Sequence, residues 1–594
     1  MCGLCGEIRF DGGQPDIAAL ERATDRLAPR GPDGRGLWSQ GPVALGHRRL
    51  KIIDLSDSGA QPMTDPRARL AGVFNGCVYN YRELRDELRA LGHRFFSQSD
   101  TEVVLKAYQQ WGTGCVEHFH GMFAFVIVEQ DTGRVVLARD RLGVKPLYLS
   151  GTTERLRFAS SLPALLAAGG VDTSLDPVAL HHYLSWHATV PAPRTVLTGV
   201  RKLPPATVRV VEPDGSHRDH RYWHPAHTRR PEYAGLGADD WTDAVLDALR
   251  TAVRRRMVAD VPVGVLLSGG LDSSLIVALL AGEGQEDLAT FSVGFESEGD
   301  EEGDEFSYSD LVARHFDTRH HQLMVPSDRV AGALDGAVRA MSEPMMSHDV
   351  VAFHLLSEQV AKEVKVVQSG QGADEVFAGY HWYARMADVP RPRAAEAYTD
   401  TYSDRSHADL AAMVHPDLLP GHDVSAEFVR AHMATEGAET ALDADLRLDT
   451  LVMMADDPVK RVDNMTMDWG LEARVPFLDH ELVELAAACP PELKLADGGK
   501  GVLKAAGRKV LPRRVVDRPK GYFPVPAIKH MAGPVLQRVR ETLAAPEARA
   551  RGVFREEYVA ELLAAPDAHR TRRGANTLWQ IALLETWLQT HGIR

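Results

Sequence analysis

The sequence predicts two domains, the second of them an α/β domain built on a parallel sheet. Three observations carry this. At 594 residues the chain exceeds what one hydrophobic core organises. In the second half, short apolar runs at 263–267 (VGVLL), 290–295 (TFSVGF) and 364–370 (VKVVQSG) alternate with helix-compatible stretches. Such alternation marks a parallel sheet with helices on both faces. Between the halves, Pro204 and Pro205 are followed by a polar strand ending at 221–225 (RYWHP) and by 226–240 (AHTRRPEYAGLGADD), rich in charge and turn formers. The expected division is residues 1–210, a linker over 211–240, and 241–594, with a helix over 241–258 leading into the second domain's first strand.

Composition narrows the classes. Hydrophobic content of 44% and charged content of 25% are those of an ordinary globular protein. A formal net charge of −15 argues against sequence-independent nucleic-acid binding, which needs a basic face. Five cysteines without regular spacing imply a reducing compartment and no disulfide framework. No apolar run approaches the ~18 residues that a membrane span needs. The N-terminus MCGLCGEIRF lacks the basic and apolar regions of a signal peptide, so a cytoplasmic location is expected. The acidic run 296–305 reads as a solvated loop.

The second domain's first strand carries the strongest motif. Val263, Val265, Leu266 and Leu267 read as a buried strand, Ser268, Gly269 and Gly270 as a turn, and Leu271 to Leu280 as a helix. A glycine turn feeding a helix N-terminus points backbone N–H groups at whatever sits there, and the helix dipole favours an anion, so the expected ligand is phosphate. The spacing is neither G-x-x-x-x-G-K-S/T nor G-x-G-x-x-G. Instead of a lysine, Asp272, Ser273 and Ser274 follow, a carboxylate for Mg²⁺ and hydroxyls for phosphate, which suits pyrophosphate. A plain strand–turn–helix connection would account for the glycines alone. Ligands of such sheets bind at the carboxyl ends of the strands. The other informative end is 369–380 (SGQGADEVFAGY), whose Asp374 is placed to share one Mg²⁺ with Asp272 as a hard oxygen ligand.

In the first domain the residue of interest is Cys2. Once Met1 is removed, Cys2 carries a free α-amine of pKa about 7.7–8.0 beside a thiol of about 8.5. The amine can then act as general base for its own nucleophile. An unremarkable terminal cysteine, or a Cys2–Cys5 metal or redox pair, are the alternatives; a lone C-x-x-C is a weak metal signal. Downstream, 30–33 (RGPD) reads as a turn, and 47–54 (HRRLKIID) as a strand carrying Arg49. Asn75 and Gly76 of 74–81 (FNGCVYNY) fall at a strand-to-turn junction, and Asp100 of 97–103 (SQSDTEV) just before a helix. The segments 121–128 and 139–148 read as β elements around a turn.

In order and spacing these segments, together with SGGLDSS at 268–274, resemble the glutamine-hydrolysing asparagine synthetase family over about residues 1–530. The resemblance implies an α+β N-terminal-nucleophile glutaminase domain, of stacked β-sheets flanked by helices, followed by an α/β ATP-pyrophosphatase domain. It implies that Cys2 attacks the side-chain amide of glutamine, that Arg49 pairs with the glutamine α-carboxylate, and that Asp100 holds the α-ammonium. The Asn75 side chain and the Gly76 N–H would form an oxyanion hole. Leu266, Val293 and Gly294 would border adenine, Ser369 and Gly370 would lie beside the nucleotide, and Lys500 of 499–504 would neutralise phosphate charge. Asp463, Glu472, Arg474 and Asp479 of the matching 460–486 segment, a helix and turn in the family, either shape the site or form structural ion pairs. The segment 518–526 (RPKGYFPVP) also matches. The implied ligands are ATP, Mg²⁺, glutamine and a carboxylate acceptor; homodimer formation is left open.

Three departures stand out. Cys77 replaces a family glutamate after Asn-Gly, and on a predicted strand it reads as a small packed side chain. Gln371 replaces the glutamate of the family's second loop, removing a proton acceptor near the reacting carbonyl. In 343–353 (EPMMSHDVVAF), His348 takes the place of an arginine in the segment that recognises aspartate. Gln371, His348 and Glu375 make up the expected acceptor site. The combination resembles the N-acetylglutaminylglutamine amidotransferases. An asparagine synthetase with an altered site, and a glutaminase or scaffold with a weakened synthetase, are the other readings.

Overall fold

Alternating apolar residues in the first part of the chain fold into two antiparallel sheets. In the computed structural model, which describes residues 2–296, 304–347, 349–518 and 531–594, the strands are β1 (Cys2–Arg9), β2 (Gly34–Gln40), β3 (Val43–Arg49), β4 (Met63–Asp65), β5 (Leu70–Val78), β6 (Gly121–Glu129), β7 (Val135–Arg139), β8 (Tyr148–Gly151), β9 (Arg155–Ala159), β10 (Arg201–Lys202), β11 (Thr207–Val211) and β12 (His217–Arg221). One sheet runs β10-β8-β9-β1-β3-β2 and the other β12-β11-β7-β6-β5-β4. Their inner faces form one core, in which Leu4 and Ile8 of β1 and Leu45 of β3 pack with Val73 of β5, Val126 of β6 and Leu137 of β7. Side chains alternate along a strand, so Cys2 shares the face of Leu4 and Ile8, and Asn75 that of Val73. Helices Ile17–Arg26 and Asp100–Trp111 flank the sheets. This is the stacked-sheet N-terminal-nucleophile fold.

One local expectation changes. Asn75 and Gly76 are not at a turn but inside β5, opposite Ala124 and Phe123 of β6. A Cβ on Gly76 would lie 2.2 Å from the Met122 carbonyl oxygen, so glycine is required there by close strand approach. The polar strand expected to end at 221–225 is β12, which pairs with β11 from Thr207–Arg221 to Val211–His217.

The second half holds β13 (Val263–Leu266), β14 (Ala289–Phe295), β15 (Arg319–Val325), β16 (Val366–Gln368) and β17 (Glu472–Arg474). They form a parallel sheet in the order β15-β14-β13-β16-β17. β13, β14 and β16 are the three runs expected; β15 and β17 extend the sheet at both edges. The helix entering this half spans Ala238–Arg255, and the helix after the glycine turn spans Leu271–Gly282. Buried ion pairs join the halves: Asp463 meets Arg30 at 2.9 Å and Lys145 at 3.1 Å, and Lys202 meets Glu343 at 3.2 Å.

Among the described residues no helix is long and apolar enough to cross a membrane. All five cysteines are free and buried. Cys2 and Cys5, three apart on β1, face opposite sides of the sheet, and the Cys5 sulfur lies 3.2 Å from Thr24 Oγ1. This geometry removes the redox-pair alternative.

Candidate active sites

Strand register assembles the first site. Cys2 of β1 stands opposite Arg49 of β3. The Cys2 backbone N–H donates to Asn75 Oδ1 at 3.1 Å, and Asn75 Nδ2 lies 3.5 Å from Ser160 Oγ. Burial pushes the Cys2 thiol up, while the amino-terminal charge and Arg49 pull it back. A buried thiol of this kind needs a base to act as a nucleophile. The Arg49 guanidinium is fixed by the carbonyls of Ser56 (2.7 Å), Ile53 (3.4 Å) and Asp54. Gly59 leaves room for it, since a Cβ there would lie 2.2 Å from Arg49 Nη2.

Asp100 opens its helix rather than preceding it. Ser99 is the cap, its hydroxyl accepting from the Thr101 N–H at 3.1 Å. Asp100 Oδ2 accepts from the Val78 N–H at 3.2 Å. Burial, partly offset by that bond, pushes the Asp100 carboxyl up to about 6. Cys2, Arg49, Gly76, Cys77 and Asp100 line one small pocket with Gln61 and Phe74, closed on one side by Glu472 and Arg474 of the second half. Asn75 lies beneath it, bonded to Cys2. Burial pushes the Cys77 thiol up, and Arg474 pulls it back.

The second site lies at the carboxyl ends of β13, β14 and β16. Leu266, Ser268, Asp272, Ser273, Val293, Ser369, Gly370, Gln371, Asp374 and Glu375 line one cleft, joined by Phe291, Asp349, Phe353 and Tyr380. Its free volume is about 190 Å³, against about 30 Å³ for the first pocket. Gly269 makes the turn with φ +71°, and a Cβ there would lie 2.5 Å from the Ser309 nitrogen. Gly270 caps the following helix, and Ser274 is buried within it. The hydroxyls of Ser268 and Ser273 are 3.2 Å apart.

Lys500, at φ +56°, precedes the helix Gly501–Arg508. Its ammonium bridges Asp272 at 2.7 Å and Asp374 at 3.0 Å, which brings together three residues distant in sequence. Burial opposes its charge, but the two carboxylates outweigh burial and push its pKa up. Gly379 admits this packing, since a Cβ there would lie 2.2 Å from Lys500 Cε. Glu375 accepts from the Tyr380 hydroxyl at 2.8 Å. Burial, then the neighbouring Asp374, pushes the Glu375 carboxyl up to about 7.

His348, residues 297–303 of the acidic run and residues 519–526 of the 518–526 segment lie outside the described residues. Asp463, Glu472, Arg474 and Asp479 all sit in buried ion pairs. Tyr380, Asp349 and Ser160 were not anticipated. Tyr380 ends the quoted 369–380 loop, whereas Ser160 carries no local signal.

Fold and geometry define a class: a glutamine-amidotransferase-type stacked-sheet domain joined to a parallel-sheet domain with a phosphate-type glycine turn. Residues 1–223 match the family described as glutamine amidotransferase domain, and residues 244–589 match the one described as asparagine synthase. The asparagine synthetase (glutamine-hydrolyzing) 3 of Bacillus subtilis is 32% identical over 547 residues, covering 88% of this chain and 87% of the relative. The asparagine synthetase (glutamine-hydrolyzing) 1 of the same organism is 30% identical, covering 99% and 96%. The amidase chry2 of Gibberella zeae is 27% identical, covering 91% of each. The chain belongs to the asparagine synthetase family.

Proposed function

We propose that the chain is an ATP- and glutamine-dependent amidotransferase, a carbon–nitrogen ligase that adenylates a carboxylate and converts it to an amide with ammonia from glutamine. The observation that carries this is the construction of both sites in one chain with a shared wall. The side chains of Glu472 and Arg474 close the Cys2 pocket, while the Arg474 carbonyl accepts from the Ser369 N–H of the cleft at 2.8 Å.

At the first site the Cys2 thiol attacks the glutamine carboxamide as its proton passes to the Cys2 α-amine, which then delivers that proton to the leaving nitrogen. Arg49 and Asp100 hold the two ends of the amino acid. Asn75 and Gly76 face the developing oxyanion, each such donor contributing about 3 kcal/mol. Ammonia leaves, and water hydrolyses the thioester to glutamate. At the second site the acceptor carboxylate attacks the α-phosphate of ATP and pyrophosphate departs from the Ser268–Ser274 turn. Lys500 offsets phosphate charge. Asp272 and Asp374 converge on one point, and such hard oxygen ligands fit Mg²⁺, which when bound neutralises polyphosphate charge. Ammonia then attacks the acyl-adenylate, leaving amide and AMP. For this, ammonia must cross between the sites shielded from water, which keeps it unprotonated.

For the acceptor we favour a carboxylate other than aspartate, with N-acetylglutaminylglutamine as the leading compound. Gln371 supplies no charge, and the cleft presents the carboxylates of Asp349 and Glu375. The nearby Arg461 is already engaged by Ser347 at 2.8 Å and by Asp349 and Asp457, each at 3.6 Å. A second acceptor carboxylate would meet these acidic side chains there, whereas a neutral peptide body brings no charge to oppose them. Aspartate is the second reading. Its α-ammonium could pair with Asp349 or Glu375, and relatives carry the asparagine synthetase name.

The test is pyrophosphate release from ATP with Mg²⁺ and glutamine, measured with each compound alone. Release with the dipeptide, with the amide detected by mass, supports the first acceptor. Release with aspartate replaces it by the second. Release with neither, beside active glutamine hydrolysis, removes both acceptors.

A further inference from the structure

The glutamine pocket contains a pair of groups from the other half of the molecule. Glu472 and Arg474 stand on β17, the edge strand of the parallel sheet, yet both line the pocket of Cys2. Arg474 Nε donates to Glu472 Oε1 at 2.5 Å, and its Nη2 lies 3.8 Å from the Cys77 sulfur. Both side chains are essentially inaccessible, at 0% and 1% exposure. A carboxylate this deeply buried is costly unless a cation stays beside it.

Two carboxylates therefore face the same small space. Asp100 enters from the first half and Glu472 from the second, and each lies within electrostatic range of Cys77 and of one another. Cys77 lines the same pocket and carries no charge. A zwitterionic amino acid held by Arg49 at its carboxylate presents its ammonium to this space. An ammonium has three donors, and Asp100 already spends part of its capacity on the Val78 N–H. Glu472 is also held by the amino-terminal charge and by Lys145 beside its bond to Arg474, and an ionised carboxylate offers about four lone-pair sites for such cationic partners.

We propose that Glu472 is a glutamine-binding residue that completes the α-ammonium site with Asp100, in the place that an uncharged Cys77 leaves open. Arg474 positions it. The glutaminase pocket is thus finished by the synthetase half, and glutamine binding depends on how β17 is seated. The same strand bears on the nucleotide loop through the bond from Ser369 to Arg474. This inference rests on the glutaminase reading of the Cys2 pocket.

The experiment uses the full chain without ATP or acceptor, following glutamate formation from glutamine and, in parallel, hydrolysis of 4-carbamoylbutanoate, which is glutamine without its amine. Glu472→Gln is expected to raise the KM for glutamine about tenfold or more, with kcat changed less than about threefold, because a charged hydrogen bond to the substrate is lost. The KM for 4-carbamoylbutanoate is expected to stay where it is. Adding Cys77→Glu to Glu472→Gln is expected to recover most of the glutamine KM. Should Glu472→Gln fail to fold, Glu472→Asp keeps the charge on a shorter arm, and a selective rise in glutamine KM is again expected.

A KM that rises equally for both substrates, a KM that does not move, or no recovery from Cys77→Glu overturns the assignment and leaves Glu472 a structural ion pair. Hydrolysis absent from the unaltered chain would instead overturn the glutaminase reading, and this inference with it.

Discussion

In the first site, strand pairing places the chemistry. Cys2 faces Arg49 across the β1–β3 ladder, and Asn75 and Gly76 hold fixed register against β6. In the second site no such ladder acts. Asp272, Asp374 and Lys500 come from three separate loop-to-helix junctions and meet only through ion pairs of 2.7 and 3.0 Å. A pocket set by register tolerates little rearrangement, which suits one small amino acid. A cleft set by loop ends can change its acceptor by changing a few side chains, which suits a family whose relatives include both asparagine synthetases and an amidase. The departures fall accordingly: Cys77 lines the pocket that Glu472 shares, whereas Gln371 lines the cleft.

The sharpest way to break this comparison is to remove one site and watch the other. Cys2→Ala should reduce glutamine hydrolysis by about 10⁴-fold. Pyrophosphate release supported by ammonium chloride and a working acceptor should stay within about twofold. Loss of both activities would mean that the sites are not separately built. Lys500→Ala is the reciprocal change. It leaves Asp272 and Asp374 without their shared ammonium and should lower pyrophosphate release about 10³-fold. Glutamine hydrolysis without ATP should be preserved, and a matching fall there would again contradict separate construction.

The seam between the sites gives the next effect. Asp463→Ala leaves Arg30 and Lys145 buried without their carboxylate and should lower the unfolding free energy by about 3–5 kcal/mol in urea titrations. A cost under about 1 kcal/mol would mean that the seam is wet and that the pairs behave as surface ion pairs.

The smallest effect is pH dependence. Burial pushes the Asp100 carboxyl up to about 6, so its neutral form persists to higher pH than usual. Glutamine's ammonium needs the ionised form, which is lost as pH falls through that value. The kcat/KM for glutamine should therefore fall about fourfold more between pH 7 and pH 5.5 in the wild type than in the Asp100→Asn enzyme, in which the Cys2 α-amine still titrates. Equal falls in the two enzymes would detach Asp100 from substrate binding.

The two regions also differ in what their sequence reveals. The SGGLDSS turn is legible because glycines, a buried strand and an apolar helix adjoin one another, so local physics alone places Asp272. Cys2 is legible for a different reason, the chemistry of an amine beside a thiol. β17 is not legible. Glu-Ala-Arg has no apolar pattern, and its charges are satisfied by each other and by groups from the other half. β15 likewise reads RHHQLMV, a polar edge strand that burial patterns miss. Asn75–Gly76 reads as a turn because Asn-Gly ordinarily is one, and only close packing against Met122 makes it a strand interior. The meeting of Glu472 with Cys77 is tertiary and has no local signal.

The central claim is that nitrogen released at Cys2 is used in the cleft. Glutamine labelled with nitrogen-15 in its side-chain amide should be supplied with ATP, Mg²⁺ and, in separate reactions, N-acetylglutaminylglutamine or aspartate. Product amide would be analysed by mass alongside glutamate and pyrophosphate. The expected result is labelled amide from one acceptor, even when unlabelled ammonium is present, with pyrophosphate formed in step with glutamate. Labelled ammonia appearing only in solution, with no pyrophosphate and no labelled amide, would contradict the account.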